Sequence, residues 1–175
     1  MAGATNVPEI INNFNVYKKG TQLIGVAGSV TLPTLDAITE TISGAGILGE
    51  YETSIVGNYS SIQQEIPFRV LDKDIFSVMD PTSLVDLTFR ASQQSTVKST
   101  GAIAYKGMRV VERGRFKSFD PGKLELGKQM DAKVTMELMY ILIEVGGKTM
   151  LEYDKLNSVF KVNGKDLLAK VRSLC

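Results

Sequence analysis

Apolar and polar positions alternate with a period of two through much of this chain, and each such run predicts a strand with one face in a core and one in water. From Ser61 to Val70 the even positions Ile62, Ile66, Phe68 and Val70 are apolar, whereas Ser61, Gln63, Glu65 and Arg69 are polar. Val85, Leu87, Phe89 and Ala91 alternate with Asp86, Thr88, Arg90 and Ser92 in the same way, shortly after a break at Pro81. Between these strands, Asp72 to Met79 predicts one short helix. Asp72 or Asp74 would cap it, and Ile75, Phe76 and Met79 fall on one side at helical spacing.

The second half carries longer runs, Ile103 to Phe119 and Ala132 to Val145, separated by the turn residues Asp120, Pro121, Gly122 and Gly127. Together they predict a long antiparallel pair. Gly146-Gly147 supplies a tight hairpin with a return strand from Lys148 to Tyr153. Asn163-Gly164 marks a further turn. After it Leu167, Leu168, Val171 and Leu174 recur at helical spacing behind Asp166, so the chain is expected to end in a short helix. The whole reads as one mainly β domain, 1–175, with an N-terminal tail over about 1–13.

The stretch from Ser43 to Gly57, SGAGILGEYETSIVG, is neither ordinary core nor ordinary turn. Gly44, Gly46, Gly49 and Gly57 are interleaved with Ile47, Leu48, Tyr51 and Ile55. Long segments of this kind are uncommon in compact domains and often functional. Two readings fit: a contact loop that orders on a partner, or a long hairpin tip folded back on its own domain.

Composition narrows the chemistry. At 175 residues the chain can form one domain burying roughly 70% of its unfolded surface. Twenty basic side chains against 19 acidic ones give no global charge that calls for nucleic acid or membrane. Histidine is absent, which removes the usual proton shuttle near neutral pH and the commonest zinc or copper ligand. The one cysteine, Cys175, allows no disulfide within the chain. The first residues lack the pattern of a secretory signal and no apolar run approaches about 18 residues, so assembly in the cytoplasm is expected. No Gly-x-Ser-x-Gly elbow, phosphate loop or Cys-x-x-Cys occurs. The acid pairs Glu50 with Glu52 and Glu152 with Asp154 have the makings of glycosidase chemistry, but a separation of two is also what one strand face produces. We therefore expect no catalytic residues, no metal and no cofactor.

Four stretches carry a family resemblance. Leu23 to Leu35, LIGVAGSVTLPTL, is similar to an opening strand that ends in Leu-Pro-x-Leu, with Gly44-Ala45-Gly46 in the glycine-rich loop beyond it. Arg113-Gly114-Arg115 with Asp120-Pro121-Gly122 and Gly127 resembles an Arg-Gly strand and its turn. Tyr140 to Asp154, YILIEVGGKTMLEYD, is similar to a C-terminal hairpin with Gly147-Lys148 in its turn and an acidic pair on its return strand. Lys161 to Leu167, KVNGKDL, resembles a closing segment around Asn-Gly. In this order they resemble the major tail tube protein family of contractile-tailed phages and R-type bacteriocins. The segment from Asp72 to Thr100 departs from the family's wording.

The resemblance implies an antiparallel β-barrel or sandwich of the phage tail tube type, with one short helix and a short C-terminal helix. It implies hexameric rings stacked into a hollow tube inside a sheath, which conducts DNA or pierces the target envelope when the sheath contracts. The implied partners are further copies of the chain, the tail sheath protein, baseplate and tail terminator proteins, and DNA that passes without specific binding. The particle would be a virion tail or tail-like particle assembled in a bacterial host. No membrane anchor is implied.

Physical argument then assigns roles within such a polymer. Open strand edges pair with other chains unless blocked, so they are candidates for ring closure. A second, axial contact produces an open-ended stack, and the residues expected to make it are Gly44, Ala45, Gly46, Ile47, Leu48, Gly49 and Tyr51. A basic lumen would hold DNA through phosphate contacts; the neutral or acidic Thr39, Thr41, Gln63 and Glu65 are expected to face it. Arg109, Arg113, Arg115 and Lys117 place four cations on one strand face, opposite Met108, Val110 and Phe116. They are expected to contact a neighbouring subunit or the sheath, unless they form an ordinary solvated face. Two other functions remain open: an injection particle that delivers protein, and a monomeric β-barrel that binds a small apolar ligand. For the latter the aromatic content, 7% with no tryptophan, is low.

Overall fold

The alternating runs become a large antiparallel sheet with one projecting hairpin. The computed structural model describes residues 5–175. Its strands are β1 (Asn6–Lys18), β2 (Thr21–Gln22), β3 (Ala37–Ser43), β4 (Glu50–Tyr59), β5 (Gln63–Phe68), β6 (Val85–Val97), β7 (Ile103–Asp120), β8 (Ala132–Val145), β9 (Lys148–Asp154), β10 (Val159–Val162) and β11 (Lys165–Asp166). Two single-turn helices, α1 (Lys73–Phe76) and α2 (Ala169–Arg172), complete the elements. Nine strands form one sheet in the order β11-β10-β9-β8-β7-β6-β1-β2, and β5 pairs with β8 off that path. Among the described residues the sheet is not closed. Its ends still share one core: Val16 of β1, Ile66 and Phe68 of β5, Leu87 of β6, Tyr153 of β9 and Phe160 of β10 belong to the same buried cluster. A sheet whose two ends and middle meet in one core must curl on itself, which gives a sandwich-like body.

The expected pairings are present. β7 and β8 form the longest ladder, from Met108↔Val145 to Asp120↔Lys133. β8 returns into β9 through Gly146 and Gly147, at φ 58° and 76°, and Asn163-Gly164 joins β10 to β11. Asp72 is the N-cap of α1, its side chain accepting a hydrogen bond from the Lys73 amide at 2.7 Å. The terminal helix is shorter than its apolar spacing suggests: Asp166 accepts from the Leu168 amide at 3.0 Å, ahead of a single turn.

Two bulges change the phase of the central ladder. On β8 the inward set runs Ala132, Val134, Met136, Leu138 and then Ile141, because Met139 is an extra residue opposite Arg113 and Gly114. On β7, Lys117 is extra between Phe116 and Ser118, which leaves Lys117 and Ser118 both exposed. A bulge inserts one residue on one strand and increases local twist. Gly114 sits at the first bulge, where a Cβ would overlap the Glu137 carbonyl.

Several expectations change. The stretch expected as a tail to residue 13 is strand from Asn6 onward, paired with β6 through two register shifts; those shifts interrupt the alternation that would otherwise reveal it. Leu23 to Leu35 is not a strand apart from one bridge, Val26↔Phe68. Gly25 at φ 91° bends the chain there and Pro33 has no amide to donate to a ladder. Ser61 to Val70 contracts to β5 with Val70 exposed and Gln64 buried, its amide donating to the carbonyls of Thr31 and Glu65 at 2.9 and 2.6 Å.

Candidate functional site

β3 and β4 stand apart as a two-stranded sheet of their own. Their register runs from Thr39↔Ser54 to Ser43↔Glu50, and the tip from 44 to 49 connects them. Of the segment 43–57, then, only the tip is loop; the remainder is the last residue of β3 and most of β4. A lone two-stranded hairpin is marginal in water. This one nonetheless exposes Ile38, Ile47, Leu48, Tyr51, Ile55 and Val56, with Leu48 fully open to solvent. Contiguous exposed apolar residues on a monomer mark an interaction surface. Gly44, Ala45, Gly46, Ile47, Leu48, Gly49 and Tyr51 are thus brought together at the free end of an arm, and not folded back on the body.

The arm meets the body through an aromatic cluster. The Tyr59 ring lies edge-on to Tyr153 and Phe160, with centroids 5.1 and 5.5 Å away. The Tyr153 hydroxyl donates to the Gly57 carbonyl at 3.1 Å. Burial pushes the phenols of Tyr59 and Tyr153 above their ordinary value, since the charged form is the one desolvation disfavours.

The four residues expected to face a lumen divide between two places. Thr39 and Thr41 are on β3, opposite Ser54 and Glu52. Gln63 and Glu65 are on the solvent face of β5, where Gln63 donates to the Ser61 hydroxyl at 3.0 Å and Glu65 lies 3.2 Å from the Lys133 ammonium.

The cation stripe on β7 is partly neutralised by residues of neighbouring strands. Arg109 makes two bonds to Glu144 at 2.7 and 2.9 Å, which hold that carboxyl below its usual range. Arg113 bonds Asp86 at 2.8 Å and stacks over the Tyr140 ring. Lys117 lies 3.6 Å from Glu137, which Lys155 approaches from the other side. Arg115 is opposite Glu137 in the ladder. Three of the four cations are thus ion-paired, while Arg115 has only its ladder position and Arg90 stands opposite Arg109.

Sequence reasoning missed two surfaces. On the outer half of β1, Asn6 to Asn15 has no strand partner beyond β6 among the described residues, and it exposes Val7, Ile10 and Ile11. The loop after β7 exposes Leu124 and Leu126 almost completely. The isolated Leu124-Glu125-Leu126 between Lys123 and Lys128 was the available signal for the loop; β1 offered only a broken alternation.

Among the described residues no group of three or more His, Cys, Asp or Glu is placed to hold a metal ion, and no helix is long and apolar enough to cross a membrane. Comparison with known proteins gives one consistent family. The tail tube protein of Escherichia phage P2 is 29% identical over 167 residues, covering 95% of this chain and 96% of that protein. The major tail tube protein of Serratia phage KSP20 is 27% identical over 166 residues, covering 92% and 91%. The family model described as phage tail tube protein FII matches residues 8–174. Because that match spans nearly the whole chain, from within β1 to beyond α2, the protein belongs to the phage tail tube protein FII family.

Proposed function

We propose that this chain is the structural subunit of a contractile-phage tail tube, acting by polymerisation and not by catalysis. The single observation that carries this reading within the molecule is the β3–β4 arm, which displays apolar side chains that its own body does not cover. Its tip provides the axial contact between rings. Burying Ile47, Leu48 and Tyr51 on a neighbour is worth about 1.5–3 kcal/mol for each large side chain. Ordering the tip opposes this, and because the flanking strands are already paired the cost is confined to residues 44–49.

Ring closure uses open edges. The outer edge of β1 is long and carries the exposed Val7, Ile10 and Ile11, and a head-to-tail contact repeated with a closing rotation gives a ring, six subunits in the family reading. Thr39, Thr41 and Gln63 are neutral and Glu65 offsets the neighbouring Lys133, so this lining carries no net positive charge that would retain DNA. The charge ladder of Arg109, Arg113, Arg115 and Lys117 faces a subunit or the sheath, where its paired charges set register more than affinity. The partners are then the sheath, baseplate and terminator proteins of the tail, and assembly takes place in the bacterial cytoplasm. A monomeric ligand-binding barrel finds no support: the sheet is open, and the relatives are tail tube proteins.

Electron microscopy of the purified protein at rising concentration tests the reading. Stacked rings or hollow tubes are expected, and deletion of Gly44 to Glu50 is expected to leave folded subunits or single rings without long tubes. A protein that stays monomeric at every concentration overturns the tube; tubes of normal length from the deletion overturn the role of the arm.

A further inference from the structure

The arm is attached to the body at a bend. Between Ala37↔Tyr59 and Thr39↔Ser54 the β3–β4 ladder shifts register, with extra residues on β4 around Gly57. Gly57 has φ 78°, a conformation that L side chains rarely adopt. Above it lies Leu168, whose Cδ1 atom is 2.7 Å from the place a Cβ would occupy. The Gly57 carbonyl accepts a hydrogen bond from the Tyr153 hydroxyl. The bend is therefore filled from one side by the C-terminal segment and tied from beneath by β9.

The C-terminal segment is itself fixed. Leu168 is buried, its amide donates to Asp166, and Leu167 donates to the Phe160 carbonyl at 2.8 Å. Arg172 closes the turn with bonds to Asp166 and to the Ser158 carbonyl at 2.7 Å. These contacts build a seat for the Leu168 side chain, and Gly57 packs directly against that seat.

We propose that Leu168 and the Tyr153 hydroxyl act as a positioning clamp on the Gly57 bend and set the angle at which the β3–β4 arm leaves the body. The proposal rests on the reading of the arm as the stacking element, and it adds the residues that aim it. An exposed two-stranded arm has little of its own to fix its direction, so the contacts at its root decide where Leu48 and Tyr51 are presented. Ordering the arm before docking lowers the entropy cost of the docking step.

Hydrogen exchange on the subunit and microscopy on the polymer test this separately. The variants are Tyr153→Phe, which removes one hydrogen bond while keeping the ring, and Leu168→Ala, with Leu168→Met as the conservative control. Amides of β4 from 50 to 59 are expected to exchange about fivefold faster in Tyr153→Phe, the effect of one lost hydrogen bond on a local opening. Amides of β7 and β8 should stay unchanged. Tube growth is expected to need several times more protein in Tyr153→Phe and Leu168→Ala, and Leu168→Met should restore it. Unchanged exchange in β4, or equally faster exchange throughout the body, overturns the clamp. Faster exchange with normal tube growth overturns its part in assembly. Should the Gly44 to Glu50 deletion form normal tubes, the stacking reading fails, while the exchange result on the subunit still decides whether the clamp exists.

Discussion

Glu112 is fully buried on the inward face of β7, and neither carboxyl oxygen has a hydrogen-bond partner. Across the ladder it faces Leu87 and Ile141, between Val110 and Gly114 on its own strand. Among the described residues no counter-charge reaches it. Desolvation alone pushes its carboxyl from the ordinary 4.5 up to about 8, so the side chain is neutral in the folded subunit near pH 7. The unfolded chain ionises the same group near its ordinary value. Between 4.5 and about 8 the native state holds a proton that the unfolded state has released, so stability falls as pH rises. The contribution is fully present below 4.5 and is lost by about pH 8. At about 1.4 kcal/mol per pH unit the loss amounts to about 5 kcal/mol, a large part of a domain's stability of about 5–15 kcal/mol. Urea unfolding of dilute monomer at pH 5, 6, 7 and 8 measures it. The midpoint is expected to fall by about 2 M across this range at a slope of about 2 kcal/mol/M. Glu112→Gln keeps the shape without the titration and should flatten the profile, and Glu112→Met should give the most stable protein at pH 8. If wild type and Glu112→Gln share one pH profile, the reasoning from desolvation is wrong.

Gly114→Ala should destabilise the subunit by about 3 kcal/mol, because the new methyl overlaps the Glu137 carbonyl; thermal unfolding measures it, and a change under about 1 kcal/mol would show that the bulge relaxes. Asp80 accepts from the Thr82 hydroxyl, the Ser83 hydroxyl and the Thr82 amide, which draw its carboxyl from 3.8 down to about 2. Carboxyl-carbon NMR should place its titration there, and Thr82→Ala should move it upward. The sign is opposite to that of Glu112: what this group contributes is present above 3.8 and is lost as pH falls toward 2.

How much was legible in the residues depends on how local the cause was. The hairpins at Gly146-Gly147 and Asn163-Gly164 and the β7–β8 pair could be read directly, and the cap of α1 was narrowed to Asp72 or Asp74, because each rests on neighbours in sequence. The glycine-rich segment stands out in the sequence by its composition. Its two readings could not be separated, since the choice depends on whether the body has a surface to receive Ile47 and Leu48. It covers neither residue, and the arm projects. The cations of β7 looked like a patch because their partners Asp86, Glu137 and Glu144 lie elsewhere in the chain.

By itself the sequence determined a mainly β chain, the position of its tight turns and the lack of histidine chemistry, and it carried the family in the order of its motifs. These follow from backbone period, turn geometry and side-chain inventory, which need no distant contact. Tertiary structure alone decided the phase changes at Met139 and Lys117, the isolation of Glu112, the pairing of the charged stripe and the seat of Leu168 on Gly57. Each depends on two segments far apart in sequence arriving at a fixed register, and a shift of one residue in a ladder exchanges which face a side chain occupies.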